Sequence, residues 1–520
     1  MSWLSNLNPF ASASTTSDQS ETRHRAASRM VRSLASFVPG LGDAPADFSS
    51  SEQRTLRVRS RDSYRNQPIA RGVVNRVRNS AVGTGLMCHP AVDRKALGIT
   101  KERAKELNEL LSNKFTAWAD SAKDCDICGV EDFYALQGIA LVSSMCSGDV
   151  LILTPFDKRG DGLGLKLQLI EADRICNPTG QMNSSKLIDG VVLGPGGFHK
   201  GYWVANKHPG SALSDVDMES TFYATFDDTT GRRRAMLVSE ERSRPGEVRT
   251  PPFLSALIEP LAKLDTWSRA ALAKAVVGAM ITTFLEKEAA REDGAGNPLG
   301  PLGEEIFDDP VDQPPIDLGE GAVVDLEPGT KANQQSPNKT DPQFDPFFKS
   351  YMKQIGAAAN IPESEILLAY EESYSAARAA MLQAWRYYES RRWRLSQQSC
   401  QPTYELAVDE LVASGEVDLP DFAKFRRAYT RCVWIGPPRG AMDEDKELKA
   451  AVGRVRAGFS TEAREAEKMT GEDATSIREE RSAEVEQNKL DGTFADRHPA
   501  AAEAERAIKV AEQVATKETP

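Results

Sequence analysis

Two cysteines three apart, Cys125 and Cys128 in the run CDIC, have the spacing of half a tetrahedral zinc site. A full site needs two more ligands. No second C-x-x-C and no H-x₃₋₅-H exists, and only Cys146 and His89 are left to complete the set, so buried free cysteines are the better reading. The glycines of GDGLGLKL, Gly160 to Leu167, suggest a phosphate cradle, but their order is wrong for one and a hairpin fits better. His24, His89, His199, His208 and His498 are scattered, and no serine or cysteine has an evident His–Asp partner set. G-x-x-x-x-G-K-[ST], H-E-x-x-H, G-x-S-x-G and a strand-linked G-x-G-x-x-G are all missing. The expectation is a chain that is not an enzyme and takes no cofactor and no metal.

Charge is the next chemistry to consider. Arg54 to Arg78 is arginine-dense, RTLRVRSRDSYRNQPIARGVVNRVR, and fits two readings. One is phosphate contact. The other is a solvated helix face or a set of ion pairs between subunits. Tyr64 alone gives little of the aromatic interleaving of a single-strand binder. The formal net charge of −12 rules out a basic nucleic-acid coat. Cys88, Cys125, Cys128, Cys146, Cys176, Cys400 and Cys432 are odd in number and irregular in spacing, which suits a reducing compartment rather than a disulfide scaffold. The opening MSWLSNLNPFASAS has no basic n-region before a long apolar run, so it does not read as a signal peptide. ALAKAVVGAMITTFL, Ala271 to Leu285, is too short to span a bilayer and contains Lys274. The chain reads as cytosolic when made.

The elements that must position these residues follow from pattern. Residues 1–50 read as a mobile Ser/Ala/Thr-rich arm. Pro68 suits a helix start, with Ile69, Val73, Val74 and Val77 on one face. Thr100 caps another helix whose face is Leu107, Leu110, Leu111 and Phe115. From 130 to 240, GIALVSSMCSGDVLILTPF and later apolar runs between Gly, Pro, Asp and Asn read as strands and hairpins, with a turn at Gly194 to Gly197. Phe253 to Glu288 reads as one helix, faced by Leu254, Leu257, Ile258, Leu261, Leu264, Leu272, Val276 and Met280. The Gly/Pro/Asp-rich 291–340 is too polar for a core. Helices follow from Phe344 to Ala359 and from Ser375 to Ser414. Beyond Pro438 an acidic tail with little apolar periodicity reads as flexible or partner-dependent.

The helix from Ser375 starts slim, with Ala376, Ala377, Ala379 and Ala380. It then broadens to Trp385, Tyr387, Tyr388 and Trp393 among Arg386, Arg391, Arg392 and Arg394. A monomer would bury that band in its own core. A ring would place it between subunits. The residues alone leave both open.

Several separated segments resemble the lambda family of bacteriophage portal proteins. They are RDSYRNQPIARGVVNRVRNSAVGTGL, SGDVLI with LQLIEADRICNP, RPGEVRTPPFLSALIEPLAKLDTWSRAALAKA, and LEPGTKANQQSPN followed by FDPFFKSYMKQIGAAANIPESEILLAYEESYSAARAAMLQAWRYYESRR. Where the family has Asn-Tyr-Ser-Ser-x-Arg, this chain has Ser373, Tyr374, Ser375, Ala376, Ala377 and Arg378, which puts in doubt only the polar contacts of the two replaced positions. The resemblance spans about residues 60–440.

It implies an α+β portal fold with long stem helices, a β-rich wing, a small clip and a long α-helix near the channel, assembled as a homo-dodecameric ring. The divisions would be an arm at 1–50, wing at 51–250, first stem helix at 251–290, clip at 291–340, second stem helix at 341–360, tunnel loop at 361–374, long helix and return at 375–440, and tail at 441–520. It implies a head-to-tail connector at one capsid vertex, through which double-stranded DNA enters on packaging and leaves on ejection. Expected partners are further copies of itself, the terminase large subunit, the major capsid protein and scaffold, and the head–tail connector, with no membrane. Its place would be the virion, and the host cytoplasm during assembly. The channel candidates are Glu363, Glu365, Glu371, Glu372, Lys349, Lys353 and Lys263. The intersubunit candidates are Arg378, Trp385, Arg386, Trp393 and Gly278, the last on a small-residue face with Ala271, Ala275 and Ala279. Arg269 and Lys274 suit ion pairs between subunits slightly better than phosphate contact. The alternative is another oligomeric virion protein, a head–tail adaptor or scaffold-fused variant, although adaptors are usually much shorter.

Overall fold

The computed structural model describes residues 42–47, 49–158, 162–211, 219–279, 283–287, 330–334, 344–369, 373–440, 443–472, 474–497 and 503. Most of the arm, most of the 291–340 segment, and Glu371 and Glu372 lie outside them.

Helix α1 (Ser50–Asn66) opens on a capping box: the Ser49 hydroxyl accepts from the Glu52 amide and the Glu52 carboxylate accepts from the Ser49 amide. Pro68 then starts α2 (Pro68–Ala81), whose Val73, Val74 and Val77 are buried as their spacing predicts. Strand β1 (Met87–Pro90) and the short α3 (Arg94–Leu97) lead to α4 (Lys101–Ala119), capped by Thr100. Leu107, Leu111 and Phe115 are buried there, whereas Leu110 turns outward.

After α5 (Ala122–Cys125) comes a departure from expectation: Phe133–Ser147 is a helix, α6, and not a strand. Asp132 caps it by accepting from the Ala135 amide at 2.7 Å. Nearly the whole of α6 is buried, so its sequence is apolar on every side and the 3.6-residue period is hidden. The helix stops at Gly148, φ +92°, where a Cβ would collide with the Thr250 carbonyl.

Strands β2 (Asp149–Leu153) and β3 (Gln168–Glu171) follow, then β4 (Leu187–Ile188), β5 (Val191–Leu193), β6 (His199–Ala205), β7 (Ser220–Ala224) and β8 (Ala235–Ser239). They form two antiparallel sheets, β3-β2-β8 and β4-β5-β6-β7. Gly194 to Gly197 makes the expected turn between β5 and β6.

A 3₁₀ turn at Phe253–Ala256 opens α7 (Ile258–Ala279), which buries Leu254, Leu257, Leu261 and Leu264. The helix does not run to Glu288: Thr283–Lys287 is a strand, β9, paired antiparallel with β10 (Thr330–Gln334). Thr283, Phe284 and Leu285 suit a strand as well as a helix.

Next come α8 (Phe344–Ala359), α9 (Glu363–Leu367) and α10 (Tyr374–Leu395). A π-helical turn at Ser396–Cys400 joins α10 directly to α11 (Gln401–Ala413), so helical backbone runs through as the sequence predicts. Pro402 lacks an N–H, and the wider turn before it accommodates that loss. After α12 (Phe422–Tyr429), strand β11 (Cys432–Ile435) returns to pair with β1. The tail, expected to be a flexible or helical segment, carries α13 (Glu444–Arg456), α14 (Glu462–Thr470), α15 (Ala474–Leu490) and α16 (Phe494–Arg497).

Beneath the sheets lies one fully used arginine. Arg249 gives Nε and Nη2 to the two oxygens of Asp149 at 2.5 and 2.6 Å. Its remaining N–H groups go to the carbonyls of Ala172, Ile175 and Asp189, at 3.0, 3.0 and 2.8 Å. Asp149 is 0% exposed. Asp149→Ala would strand this guanidinium in the interior, and the expected loss is about 3–5 kcal/mol. Urea unfolding of the single variant and of Asp149→Leu/Arg249→Met checks it: the double variant, which orphans no charge, should be the more stable of the two.

Candidate channel loop and assembly surface

The region that the resemblance marks as tunnel loop is built by three helix ends. Helix α8 buries Met352, Ile355 and Ala359 and stops at Asn360, φ +57°. The Ile361 amide turns back to the Gly356 carbonyl at 3.0 Å, and a Cβ at 356 would lie 2.5 Å from the Ile361 carbonyl, so glycine is required for the reversal. Helix α9 anchors through Ile366 and ends at Leu368, also left-handed. Ser373 restarts the chain as the N-cap of α10.

The acids of this loop are not equivalent. Glu363 pairs with the exposed Lys353 of α8 at 3.4 Å. Glu365 accepts from the Tyr388 hydroxyl at 2.8 Å. Burial raises the Glu365 carboxyl above its ordinary range despite that bond. Both are thus engaged inside the chain. Lys349 pairs with Asp345 at 3.4 Å and Lys263 with Glu259 at 2.5 Å, each one helical turn away. Arg269 likewise meets Asp265 at 2.7 Å, and Lys274 sits on the exposed side of α7.

The arginine band of α10 has its partners within the chain. Arg391 is buried against Glu240, whose carboxylate also accepts from Ser144. Arg392 donates to the carbonyls of Ser80, Ala81 and Pro437. Arg394 donates to the carbonyls of Ser239 and Glu240. The monomer reading therefore accounts for these three, and the sequence alone did not mark Glu240 as the partner shared by Arg391 and Arg394.

The intersubunit candidates separate in the same way. Trp385 donates to Glu389 at 2.8 Å and lies under the Arg392 guanidinium. Arg378 stands 3.9 Å from Glu447 of α13. Arg386 is exposed, and Trp393 is 67% exposed on the outer face of α10. Gly278 lies in α7, with its surroundings outside the described residues. On the same helix Leu272, expected on the buried face, is 66% exposed; among the described side chains of α7 the core takes in Leu264 and Trp267, whose ring meets Phe347 of α8 at 4.8 Å.

The remaining chemical candidates have structural accounts. In CDIC, the Asp126 carboxylate accepts the amides of Cys128, Val130 and Glu131, so the spacing serves a turn. Cys125 is buried, but Cys128 is exposed, contrary to the expectation. Among the described residues no group of three or more His, Cys, Asp or Glu could hold a metal. Lys166 of GDGLGLKL is fully buried and donates to the carbonyls of Lys123 and Asp124, and the Asp157 amide donates to the Gly164 carbonyl as a hairpin requires. In the arginine cluster, Arg57 and Arg61 reach Asp173, while Arg54, Arg59, Arg65 and Arg71 face outward. No helix among the described residues is long and apolar enough to cross a membrane.

Among the described residues, Glu363 and Glu365 are engaged within the chain, and α7 and α10 carry exposed large apolar side chains. The chain belongs to the lambda family of phage portal proteins: residues 31–392 match that family. Its function is that of a portal connector. It is 25% identical to portal protein B of Escherichia phage lambda over 445 residues, 81% of each chain. It is 26% identical to the portal protein of Escherichia phage N15 over 448 residues, 81% of this chain and 82% of that one. Among solved structures it is similar to a chain in the neck of an empty GTA particle computed with C6 symmetry, at TM-score 0.41 and 13% identity over 79% of this chain and 92% of that one. The neck of a native GTA particle computed with C12 symmetry gives TM-score 0.41 and 12% identity, covering 83% and 96%.

The tail helices close over the start of α10 through Glu447, which also meets Arg439 at 3.1 Å. Their own hinge is an ion pair: Arg454 holds the buried Glu465 carboxyl down to about 2, against an ordinary 4.5. A carboxyl depressed on folding adds stability above its unfolded pKa and loses it as pH falls through the folded one. The α13–α14 contact should therefore loosen between about pH 4.5 and 2. Amide exchange in α14 across that range should show it, and Glu465→Gln should flatten the dependence.

Proposed function

We propose that this chain assembles as a closed ring, twelve copies in the virion, at one capsid vertex, and that the ring is a passive conduit for double-stranded DNA. The observation that carries the reading is that large apolar side chains stand in water on the two long helices, Trp393 on α10 at 67% exposure and Leu272 on α7 at 66%, among a wider set of exposed apolar residues. Exposed apolar surface of that kind is what a neighbouring copy would cover. The residues between β9 and β10 would form the clip that meets the terminase large subunit and later the head–tail connector. Residues 1–50 and the tail beyond about 440 would meet capsid protein and scaffold. Assembly would take place in the host cytoplasm, with the mature ring in the virion.

The channel reading concerns the loop between α9 and α10. With Glu363 and Glu365 engaged, Glu371 and Glu372 are the acids of that stretch assigned to face DNA. An acidic wall repels phosphates and lowers friction. Lys353, Lys349 and Lys263, each shared with a nearby carboxylate, would be weak phosphate contacts at most. No catalytic step is assigned to the ring.

Negative-stain imaging of the purified full chain tests the assembly. Wide rings with a central hole are expected, and small particles would favour an adaptor-like protein. Trp393→Glu should shift size-exclusion profiles from rings to smaller species while the far-UV circular dichroism of the chain is unchanged; normal ring assembly would remove Trp393 from the interface. Gly278→Leu tests the small-residue face of α7 in the same assay, with overpacking of about 1–3 kcal/mol per site repeated around the ring.

The channel placement has its own test. Particles built with Glu371→Lys/Glu372→Lys should assemble yet package or retain DNA abnormally, with a defect that weakens as salt rises. Wild-type packaging and retention at every salt concentration would mean that these two acids do not face DNA.

A further inference from the structure

We infer that Cys88 and Cys432 form an oxidisable thiol pair that a small-molecule disulfide converts into an intrachain staple. The register of the β1–β11 ladder sets Cys88 opposite Trp434 and Cys432 opposite Pro90. The two cysteines are therefore diagonal neighbours, two positions apart on the same face of the ribbon. Their sulfurs stand 3.0 Å apart. None of the other five cysteines has a sulfur in hydrogen-bond contact with another cysteine sulfur among the described residues.

The pair joins distant parts of the chain. Residues 88 and 432 are 344 positions apart, and β1–β11 is a sheet of only two strands. That ribbon clips the chain leaving α2 to the chain returning after α12, against the aromatic cluster of Phe115, Phe133 and Trp434. A covalent bond there would fix the return of the chain to its start.

Accessibility orders the chemistry. Cys88 is buried, and burial, with the Cys432 thiol beside it, pushes its pKa well up. Cys432 is half-buried and within reach of a small reagent. With glutathione disulfide as oxidant, the Cys432 thiolate attacks one sulfur, releases a glutathione thiolate and becomes a mixed disulfide. Cys88 then gives up its proton and attacks the Cys432 sulfur, releasing the second glutathione. Two protein thiols are oxidised, one glutathione disulfide is reduced to two thiols, and the two protons end on those thiols. A reducing cytoplasm holds the pair open, and a particle outside the cell meets the conditions that close it.

The test uses the full chain, incubated with glutathione disulfide or with dithiothreitol, quenched with N-ethylmaleimide, and compared by non-reducing electrophoresis and peptide mass mapping. The expected result is a faster-migrating monomer band, a linked peptide containing Cys88 and Cys432, and a melting temperature that rises on oxidation and falls back with dithiothreitol. Cys432→Ser should abolish all three, and Cys128→Ser should leave them intact. Recovery of Cys88 and Cys432 as maleimide adducts, under conditions that glutathionylate Cys128, would overturn the proposal. So would a stable glutathione adduct on Cys432, or pairing of either residue with Cys400. The wild-type peptide map decides the question even where a variant folds poorly.

Discussion

The turns that border the two β-sheets depend on the Arg249–Asp149 pair. A guanidinium has five N–H donors, and here all five are used: two on one carboxylate, two on carbonyls of the turn after β3 and one on a carbonyl of the β4–β5 turn. Those carbonyls lie after β3 and between β4 and β5. One side chain thus sets the spacing between the two sheets. The fit also explains why the pair tolerates burial. An ion pair in the interior repays its desolvation only when the remaining donors are satisfied, and none is left over here. Arg57 and Arg61, both reaching Asp173, continue the same arrangement toward α1.

A second buried pair transmits that rigidity to α10. Arg391 and Glu240 meet beside Arg394, which holds the end of β8 through backbone carbonyls. Arg392 grips the end of α2 and the segment after β11. The end of β8, the end of α2 and the segment after β11 are therefore fastened to one helix. The loop that precedes α10 starts from a fixed point, because its last helix, α9, is tied to α10 through Glu365 and Tyr388. The same fastening holds Trp393 outward: Arg391, Arg392 and Arg394 claim the inward directions around it.

Much of the local structure was legible in the sequence, for identifiable reasons. Pro68 and Thr100 mark helix starts because a missing N–H and a capping hydroxyl each suit a helix N-terminus. Continuous helix from α10 into α11 followed from residue types that resist nothing but Pro402, which the π turn absorbs. The failures are equally physical. Helix α6 read as strand because burial of most of its surface, with the apolar Ile139 on the exposed side, removes the polar face that reveals a period. Helix α7 was drawn too long because Thr283 to Leu285 fit either state until β10 arrives from 47 residues away in sequence, Lys287 meeting Thr330 at the nearer end and Thr283 meeting Gln334 at the farther. The tail's helices lack apolar stripes and are held by ion pairs such as Arg454–Glu465, which periodicity does not report. In the candidate site, the acids could be listed from sequence, but not sorted: that Glu365 meets Tyr388 while Lys353 meets Glu363 depends on the reversal at Gly356.

The division of labour between charge and apolar surface bears on how such a chain stays soluble before it meets its copies. Charged pairs that fix the fold, Arg249–Asp149 and Arg391–Glu240, are buried and partnered within the chain. The large apolar side chains left in water are spread over many elements, Trp393 and Leu272 among them on two different helices. An isolated exposed tryptophan is tolerable for a monomer, whereas a contiguous apolar face invites indiscriminate association. In the proposed ring each copy would present its Trp393 at the same height and to the same neighbour, so that a contact weak in one pair is repeated at every interface. Closure then supplies the stability that no single interface has. The net charge of −12 works in the same direction, since it opposes random encounters between free copies and leaves the correct approach to be selected by shape.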